Sequence, residues 1–248
     1  MKQQICRAVL AAAAVTAGIF LSACGLFRDD PTDSVFDEAE DAIATDSTES
    51  NIKTAQIEYE FGDGKTSTVR FLAPDNVRID VLDDEDSAVF CLNGKSGWMY
   101  VGGEVLDMTK DDIKEMHGAL LMTIPFKVDF QEIFTDAKLL EEKEDVCGEE
   151  CKVIEAVARK EKDIKAKFWI GEYTDLLRQF EIAWEDGVYT MQYFDYATFD
   201  DVTIPSEMFR FSPEGAMKLS LVSFETNVDI EDSVFRKPEM ISITEGDK

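Results

Sequence analysis

Side chains that could carry catalysis are sparse in this sequence of 248 residues. His117 is the only histidine, and we interpret it as a solvated residue of a helical stretch, away from any cysteine it could activate. No Gly-x-Ser-x-Gly elbow or phosphate-binding glycine loop occurs. The acidic runs 83–86 and 141–145 lack the ligand spacing of a calcium loop and are typical of charged turns. We therefore expect no enzyme, no bound metal and no cofactor.

Cys24 is the residue whose position most directly indicates chemistry. Lys2 and Arg7 precede an apolar run over 8–21, and small residues follow up to the cysteine. Leu21-Ser22-Ala23-Cys24 resembles the lipobox of bacterial lipoproteins. The resemblance implies that 1–23 is a signal peptide and that Cys24 is the acylated lipid anchor. Two alternatives stay open, an ordinary secretory leader with an incidental cysteine and a poor membrane anchor.

Acylation would determine where the protein resides. A spanning helix needs about 20 apolar residues, which this leader lacks. Two or more acyl chains hold a protein stably on a membrane. Gly25 replaces the Asp that commonly retains lipoproteins in an inner membrane, so in a cell with two membranes we expect the periplasmic face of the outer membrane. Residues 24–33 then form a polar, lipidated tether.

The charge of the chain excludes one class of partner. The net charge is −27, and loss of the leader would remove two further positive charges. Nucleic-acid binding requires clustered Lys and Arg, so no nucleic-acid partner is expected. The acidic residues are interleaved with apolar ones, which make up 45% of the chain, so we expect a single folded domain over 34–248.

Three cysteines remain in the mature chain. Cys147 and Cys151 flank Gly148-Glu149-Glu150, a plausible tight turn, so an oxidising compartment favours a hairpin disulfide between them. The alternative is two free thiols. Cys91 lies between Phe90 and Leu92 and is expected to be a buried thiol.

Apolar periodicity predicts a mainly β protein with helices, of the α+β class. A helix should follow Asp33 or Ser34 as its cap, with an apolar face formed by Val35, Phe36, Ala39, Ala42 and Ile43. Period-two alternation begins at Lys53 and recurs through a succession of strands, typical of an antiparallel meander. A helix over 111–122, with Thr109 as its N-cap, interrupts the meander. The pattern leaves open a barrel, a sandwich or a strongly curved open sheet.

Several segments together resemble one family. Residues 71–80 contain a Pro followed by an apolar strand, and residues 92–100 contain Asn-Gly-Lys followed by Trp and Tyr. These segments, with 168–171, 177–180 and 227–235, resemble the periplasmic lipoprotein carrier LolA and its outer-membrane counterpart LolB. The resemblance implies a strongly curved antiparallel half-barrel closed by helices, an apolar cavity for acyl chains, and a lid role for 111–122. Ala73 replaces the carrier's basic residue, which together with Cys24 favours a receptor-like or divergent member.

The resemblance also directs the choice of ligand-binding residues. We expect one alternate face of the meander and the lid to line the cavity, and plain core packing is the alternative for each residue. The predicted lining is Ile57, Tyr59, Phe61, Phe71, Ile79, Phe90, Trp98, Leu120, Leu121, Met122, Phe168, Phe180 and Trp184.

Two functions from different classes follow from these observations. In the first, the anchored domain binds acyl chains of lipids or lipoproteins during outer-membrane lipoprotein sorting or transfer. In the second, the same fold senses envelope stress or serves as a structural lipoprotein by contacting an envelope partner protein.

Overall fold

The computed structural model describes residues 31–82, 87–110, 112–113, 129–159, 164–184 and 187–238. The helices with described bounds are α1 (Pro31–Ile43), α2 (Asp46–Asn51) and α3 (Phe130–Ile133), with a 3-10 helix at Asp232–Phe235. Residues 110, 112 and 113 are also helical. The strands are β1 (Thr54–Phe61), β2 (Thr66–Leu72), β3 (Asn76–Leu82), β4 (Ala88–Asn93), β5 (Ser96–Val101), β6 (Glu104–Asp107), β7 (Phe134–Leu139), β8 (Glu144–Val146), β9 (Glu149–Ala158), β10 (Lys165–Gly171), β11 (Leu177–Trp184), β12 (Gly187–Phe199), β13 (Val202–Ser212) and β14 (Gly215–Thr226).

All fourteen strands belong to one open, curved antiparallel sheet. Its order is β6-β5-β4-β3-β2-β1-β14-β13-β12-β11-β10-β9-β7, and β8 also pairs with β9. Pairing of β1 with β14, for example Ile57 with Phe224, joins the two halves of the meander. The mainly β meander and the open curved form are therefore confirmed.

Helix α1 packs against the face of the sheet that carries the main core, which we call the concave face. Val35, Phe36, Ala39 and Ile43 are buried in the main core, as the helical spacing predicts. Pro31 lies in the first described turn of α1, where its fixed φ suits a helix start. The predicted caps, Asp33 and Ser34, lie inside the helix, so the predicted start is too late. The helix also enters the last residues of the predicted tether.

The other face of the sheet carries a second apolar cluster. The C-terminal segment crosses β3–β5 there, and Phe235 is buried against Cys91 and Trp98. The indole Nε1 of Trp98 donates to the Phe235 carbonyl over 3.0 Å, and Arg78 Nη1 donates to the Val234 carbonyl over 2.8 Å. Cys91 is a buried free thiol, as predicted.

The hairpin between β8 and β9 corrects the predicted disulfide. Cys147 and Cys151 are free thiols. The turn consists of Cys147 and Gly148, both with positive φ, because Val146 already pairs with Glu149. Cys151 therefore pairs with Glu144, and Cys147 lies at the tip of the turn.

Candidate functional site

The concave face brings most of the predicted lining residues together. Seven of them belong to the main core cluster, namely Ile57, Tyr59, Phe71, Ile79, Phe90, Phe168 and Phe180. Phe61 lies at the end of β1 and is half-buried. Leu120, Leu121, Met122 and His117 lie outside the described residues, as do Cys24 and the side chain of Trp184. Whether these side chains bind a ligand stays a prediction.

Trp98 is the exception, because its side chain lies on the opposite face. It pairs with Cys91 and packs under Phe235, whereas its neighbour Met99 joins the main core. Residues 98–101 are apolar at both parities, so alternation could not select the inward residues. The predicted placement of Trp98 on the lining face is therefore wrong.

One end of the concave face is filled by aromatic rings. Phe168 is surrounded by the rings of Phe36, Phe130, Phe134 and Phe180 at centroid distances of 5.3, 5.4, 4.9 and 5.1 Å. We call these five residues the packed end. Its interlocked rings leave Phe168 with no exposed surface, so core packing accounts for Phe168 and Phe180 here.

The other end of the concave face is less covered. Phe61 of β1 pairs with Leu219 of β14, and Tyr59 pairs with Leu221. Leu219, Leu221, Met217 and Tyr189 are only half-buried although they lie on the inner side of the sheet. We call Phe61, Tyr189, Met217, Leu219 and Leu221 the open end. Half-buried apolar surface on a concave wall is the arrangement that an apolar ligand could cover.

Buried tyrosines lie between the two ends. Burial raises the pKa of Tyr59 and Tyr193 above the usual range, and the two phenols interact electrostatically. The Tyr59 hydroxyl is buried with no hydrogen-bond partner in the described part of the chain. Tyr196 instead donates to the Leu177 carbonyl. Both Tyr59 and Tyr193 are therefore neutral at physiological pH.

Arg210 is an inward-facing cation that the sequence pattern does not indicate. It pairs with Met191 of β12 and Met217 of β14, both on the inner side. Burial lowers the pKa of its guanidinium, and Glu214 acts in the opposite direction. Its neighbours Phe209 and Phe211 face outward, where Phe209 stacks edge-on against Phe194 at 5.2 Å. The usual apolar-in pattern is inverted at this point of β13.

Glu40 is a half-buried acid at the contact between α1 and α3. Its Oε1 accepts a hydrogen bond from the Phe130 N–H over 2.7 Å. Burial raises its pKa from 4.5 to about 8 with help from the nearby carboxylates Asp129, Asp37 and Glu49, although the Phe130 N–H acts in the opposite direction. The folded protein therefore keeps a proton on Glu40 at pH values where the unfolded chain has lost it.

Because the folded state retains the proton on Glu40, we expect the stability of the protein to depend on pH. The free energy of unfolding should fall as pH rises from about 4.5 to about 8. Within this range the folded state binds a proton on Glu40 that the unfolded chain has released. Urea unfolding of Glu40→Gln should give a flatter dependence, with a difference on the order of 2 kcal/mol across this window.

A matched control separates this effect from general charge repulsion. Asp41→Asn removes an acid from an exposed position of the same helix and should leave the slope of the wild type. Parallel pH profiles for wild type and Glu40→Gln would contradict the assignment.

Two further properties of the described ranges bear on function. None of their helices has the length and apolar composition needed to cross a membrane. Within the same ranges, no three His, Cys, Asp or Glu side chains converge as ligands for a metal ion.

Known structures share this architecture. A DUF1329 family protein from Desulfovibrio piger superposes with a TM-score of 0.59 at 13% identity, covering 84% of this chain and 98% of that protein. A LolA superfamily protein from Nitrosomonas europaea gives 0.56 at 14% identity, covering 83% and 97%. An outer membrane lipoprotein-sorting protein domain from Vibrio parahaemolyticus gives 0.50 at 12% identity, covering 74% and 88%.

These superpositions cover nearly the whole of the known structures and a large part of this chain. The chain therefore has a LolA-like fold, as the sequence segments predict. No protein-family model and no curated protein matches the sequence at a significant level. The likeness is one of fold.

Proposed function

We propose that the protein is a lipid-anchored binding protein of the cell envelope, whose concave face shields acyl chains of lipids or lipoproteins from water. The observation that carries the proposal is the open end, a row of half-buried apolar side chains on the inner side of a LolA-like sheet. The packed end and α1 fill the core on one side. The ligand would complete the apolar core on the other.

Acyl chains exposed to water have a large unfavourable free energy of hydration, which such a site would remove. Each methylene buried from water contributes roughly 0.8 kcal/mol, so three long acyl chains carry roughly 40 kcal/mol of unfavourable hydration. An envelope lipoprotein cannot cross water unless that surface is covered. The concave face also carries flexible side chains such as Met191, Met208 and Met217, which suit acyl chains of variable shape.

The lid role of the helix predicted over 111–122 belongs to the same proposal. Thr109 and Asp112 form reciprocal cap bonds, with Asp112 N donating to Thr109 Oγ1 over 3.1 Å and Thr109 N donating to Asp112 Oδ2 over 2.6 Å. These bonds support the predicted N-cap, and Ile113 packs against the main core. The remainder of 111–122 lies outside the described residues. We assign it, together with α1, to closure of the half-barrel.

The anchor gives the proposed location. Acylated Cys24, after removal of 1–23, would tether the domain through the following polar residues, and Gly25 favours the periplasmic face of the outer membrane. A tethered domain cannot shuttle freely, so we propose a receptor-like role in lipoprotein sorting or transfer. The folds of the lipoprotein-sorting domain and the LolA superfamily protein support this class.

A second candidate function rests on a different surface. Phe194, Phe211, Val188 and Val222 are exposed apolar side chains of β12–β14. An exposed apolar surface of this kind favours contact with another protein, as a stress-sensing or structural lipoprotein would require. The envelope partner protein would then bind the outer side of the sheet, and the concave face would serve only as a core.

The test is the identity of what the protein carries. The Cys24→Ala variant lacks the anchor, so any amphiphile extracted from it comes from the domain itself. Mass spectrometry should detect a stoichiometric acyl-containing molecule. Purified Cys24→Ala protein that carries none and that binds no added acyl ligand would contradict the carrier role and leave the second function.

A further inference from the structure

Arg210 lies in an unusual position for an arginine. Its Nε and Nη1 atoms are shielded from solvent and have no hydrogen-bond partner in the described part of the chain. Leaving buried donors of a charged group unpaired is destabilising, because the group loses its hydration without gaining a hydrogen bond. Glu214 contributes no described hydrogen bond to these two atoms, and its Oε2 accepts from the Ser212 hydroxyl over 2.9 Å. Within the described ranges, Arg210 therefore has unsatisfied donors on the inner face of the sheet.

The surroundings of Arg210 suit an amphiphile, because a cation lies next to a row of apolar side chains. Arg210 lies near the β13–β14 turn, at the rim of the open end. Further along the same inner side of β13 come Met208, Ile204 and Val202, all buried and apolar. The inner side of β13 thus presents a cation followed by a row of apolar side chains. Leu219 of β14 pairs with Met208 in this row.

We propose that Arg210 binds the anionic head group of the acyl ligand, with the chain lying along the open end beyond it. This inference rests on the proposed function. The chemical class is an acyl chain bearing a negatively charged oxygen group, either a fatty-acid carboxylate or a lipid phosphate. Met191 and Met217, the flexible neighbours of Arg210, would move aside to admit the head group, and the unpaired Nε–H and Nη1–H would donate to its oxygens.

The test compares ligands with one chain and different heads, bound to the Cys24→Ala protein. Oleate should bind about 10- to 100-fold more tightly than uncharged mono-oleoylglycerol, because a hydrogen bond to a charged group contributes about 1.5–3 kcal/mol. Arg210→Met should remove this difference while retaining the affinity for mono-oleoylglycerol. Arg210→Lys should preserve part of it. Oleoyl-lysophosphatidylglycerol distinguishes a phosphate head from a carboxylate, according to which ligand depends more strongly on Arg210.

Lys218→Met is the matched control, since it removes one positive charge from the neighbouring strand. Its ammonium pairs outward with Glu207 at 3.0 Å, so the preference for oleate should remain. Arg210→Met should melt no lower than the wild type, because it removes an unpaired buried donor.

The two proposals fail in different ways. Equal affinity of the wild type for oleate, its phosphate analogue and mono-oleoylglycerol would overturn the role of Arg210 and leave the acyl-binding function intact. A preference that survives in Arg210→Met would also overturn that role. Binding of none of the three ligands by the wild type would overturn both proposals.

Discussion

Leu219→Glu should weaken binding of an acyl ligand by about 10- to 100-fold, the equivalent of the 1.5–3 kcal/mol contributed by burying one leucine side chain. Leu219 is central to the open end because it pairs with Phe61 on one side and Met208 on the other. A carboxylate there would face the hydrocarbon of the ligand and lose its hydration. Displacement of a fluorescent fatty acid from the Cys24→Ala protein measures the effect.

Val222→Glu provides the control for this substitution. Val222 lies in the same strand but is 54% exposed, so the same change in charge should leave affinity within about twofold of the wild type. Because Leu219 is only half-buried, Leu219→Glu should still fold, which circular dichroism would verify. Equal loss of binding in the two variants would indicate that the concave face has no special role.

Phe168→Ala should lower the free energy of unfolding by about 3–5 kcal/mol. Phe168 has no exposed surface and contacts the four other rings of the packed end, contributed by α1, α3, β7 and β11. Removal of its ring leaves a cavity that rigid neighbouring elements cannot fill. Urea denaturation measures this loss directly, provided that the slope of the free energy of unfolding against urea concentration is the same in both proteins.

Phe211→Ala tests whether the loss is specific to the packed end. Phe211 is 39% exposed on the outer side of β13, and its removal should change stability by no more than about 0.5 kcal/mol. If Phe168→Ala proved as mild as Phe211→Ala, the packed end would not be the rigid part of the core that the ring contacts indicate.

Strong periodicity made much of the fold predictable. Ile57 and Tyr59 alternate with Glu58 and Glu60, so only one face of β1 can be buried. In α1, Val35, Phe36 and Ala39 recur at helical spacing and are buried as expected. The order of degenerate segments then led to the LolA-like fold, which these local signals could not distinguish from a barrel or a sandwich.

The helix α2 and the turn between β8 and β9 could not be predicted, because the local sequence is compatible with more than one structure at both places. Residues 46–51 are polar throughout and show no apolar periodicity, yet they form α2, because the Thr45 side chain caps the helix by accepting from Thr48 N. Cys147 adopts a positive φ that is uncommon outside glycine, asparagine and aspartate, so the two-residue turn at Cys147-Gly148 carried no sequence signal.

The site was harder to predict than the fold. Arg210 stands between two phenylalanines, and alternation would place the aromatic residues inside and the cation outside. The register with Met191 and Met217 reverses this arrangement. Only long-range strand pairing fixes that parity, as it does for Trp98 and Met99. The open end likewise joins β1 to β14, which are far apart in sequence.

The central claim is that acyl chains lie along the concave face at the open end. The most direct measurement uses the Cys24→Ala protein with 13C-labelled Leu and Val methyl groups and a spin-labelled stearate. We predict selective broadening of the methyl resonances of Leu219 and Leu221, with little effect at Val188 and Val222. Broadening confined to Val188 and Val222, with Leu219 and Leu221 unchanged, would contradict the account and assign apolar binding to the outer side of the sheet.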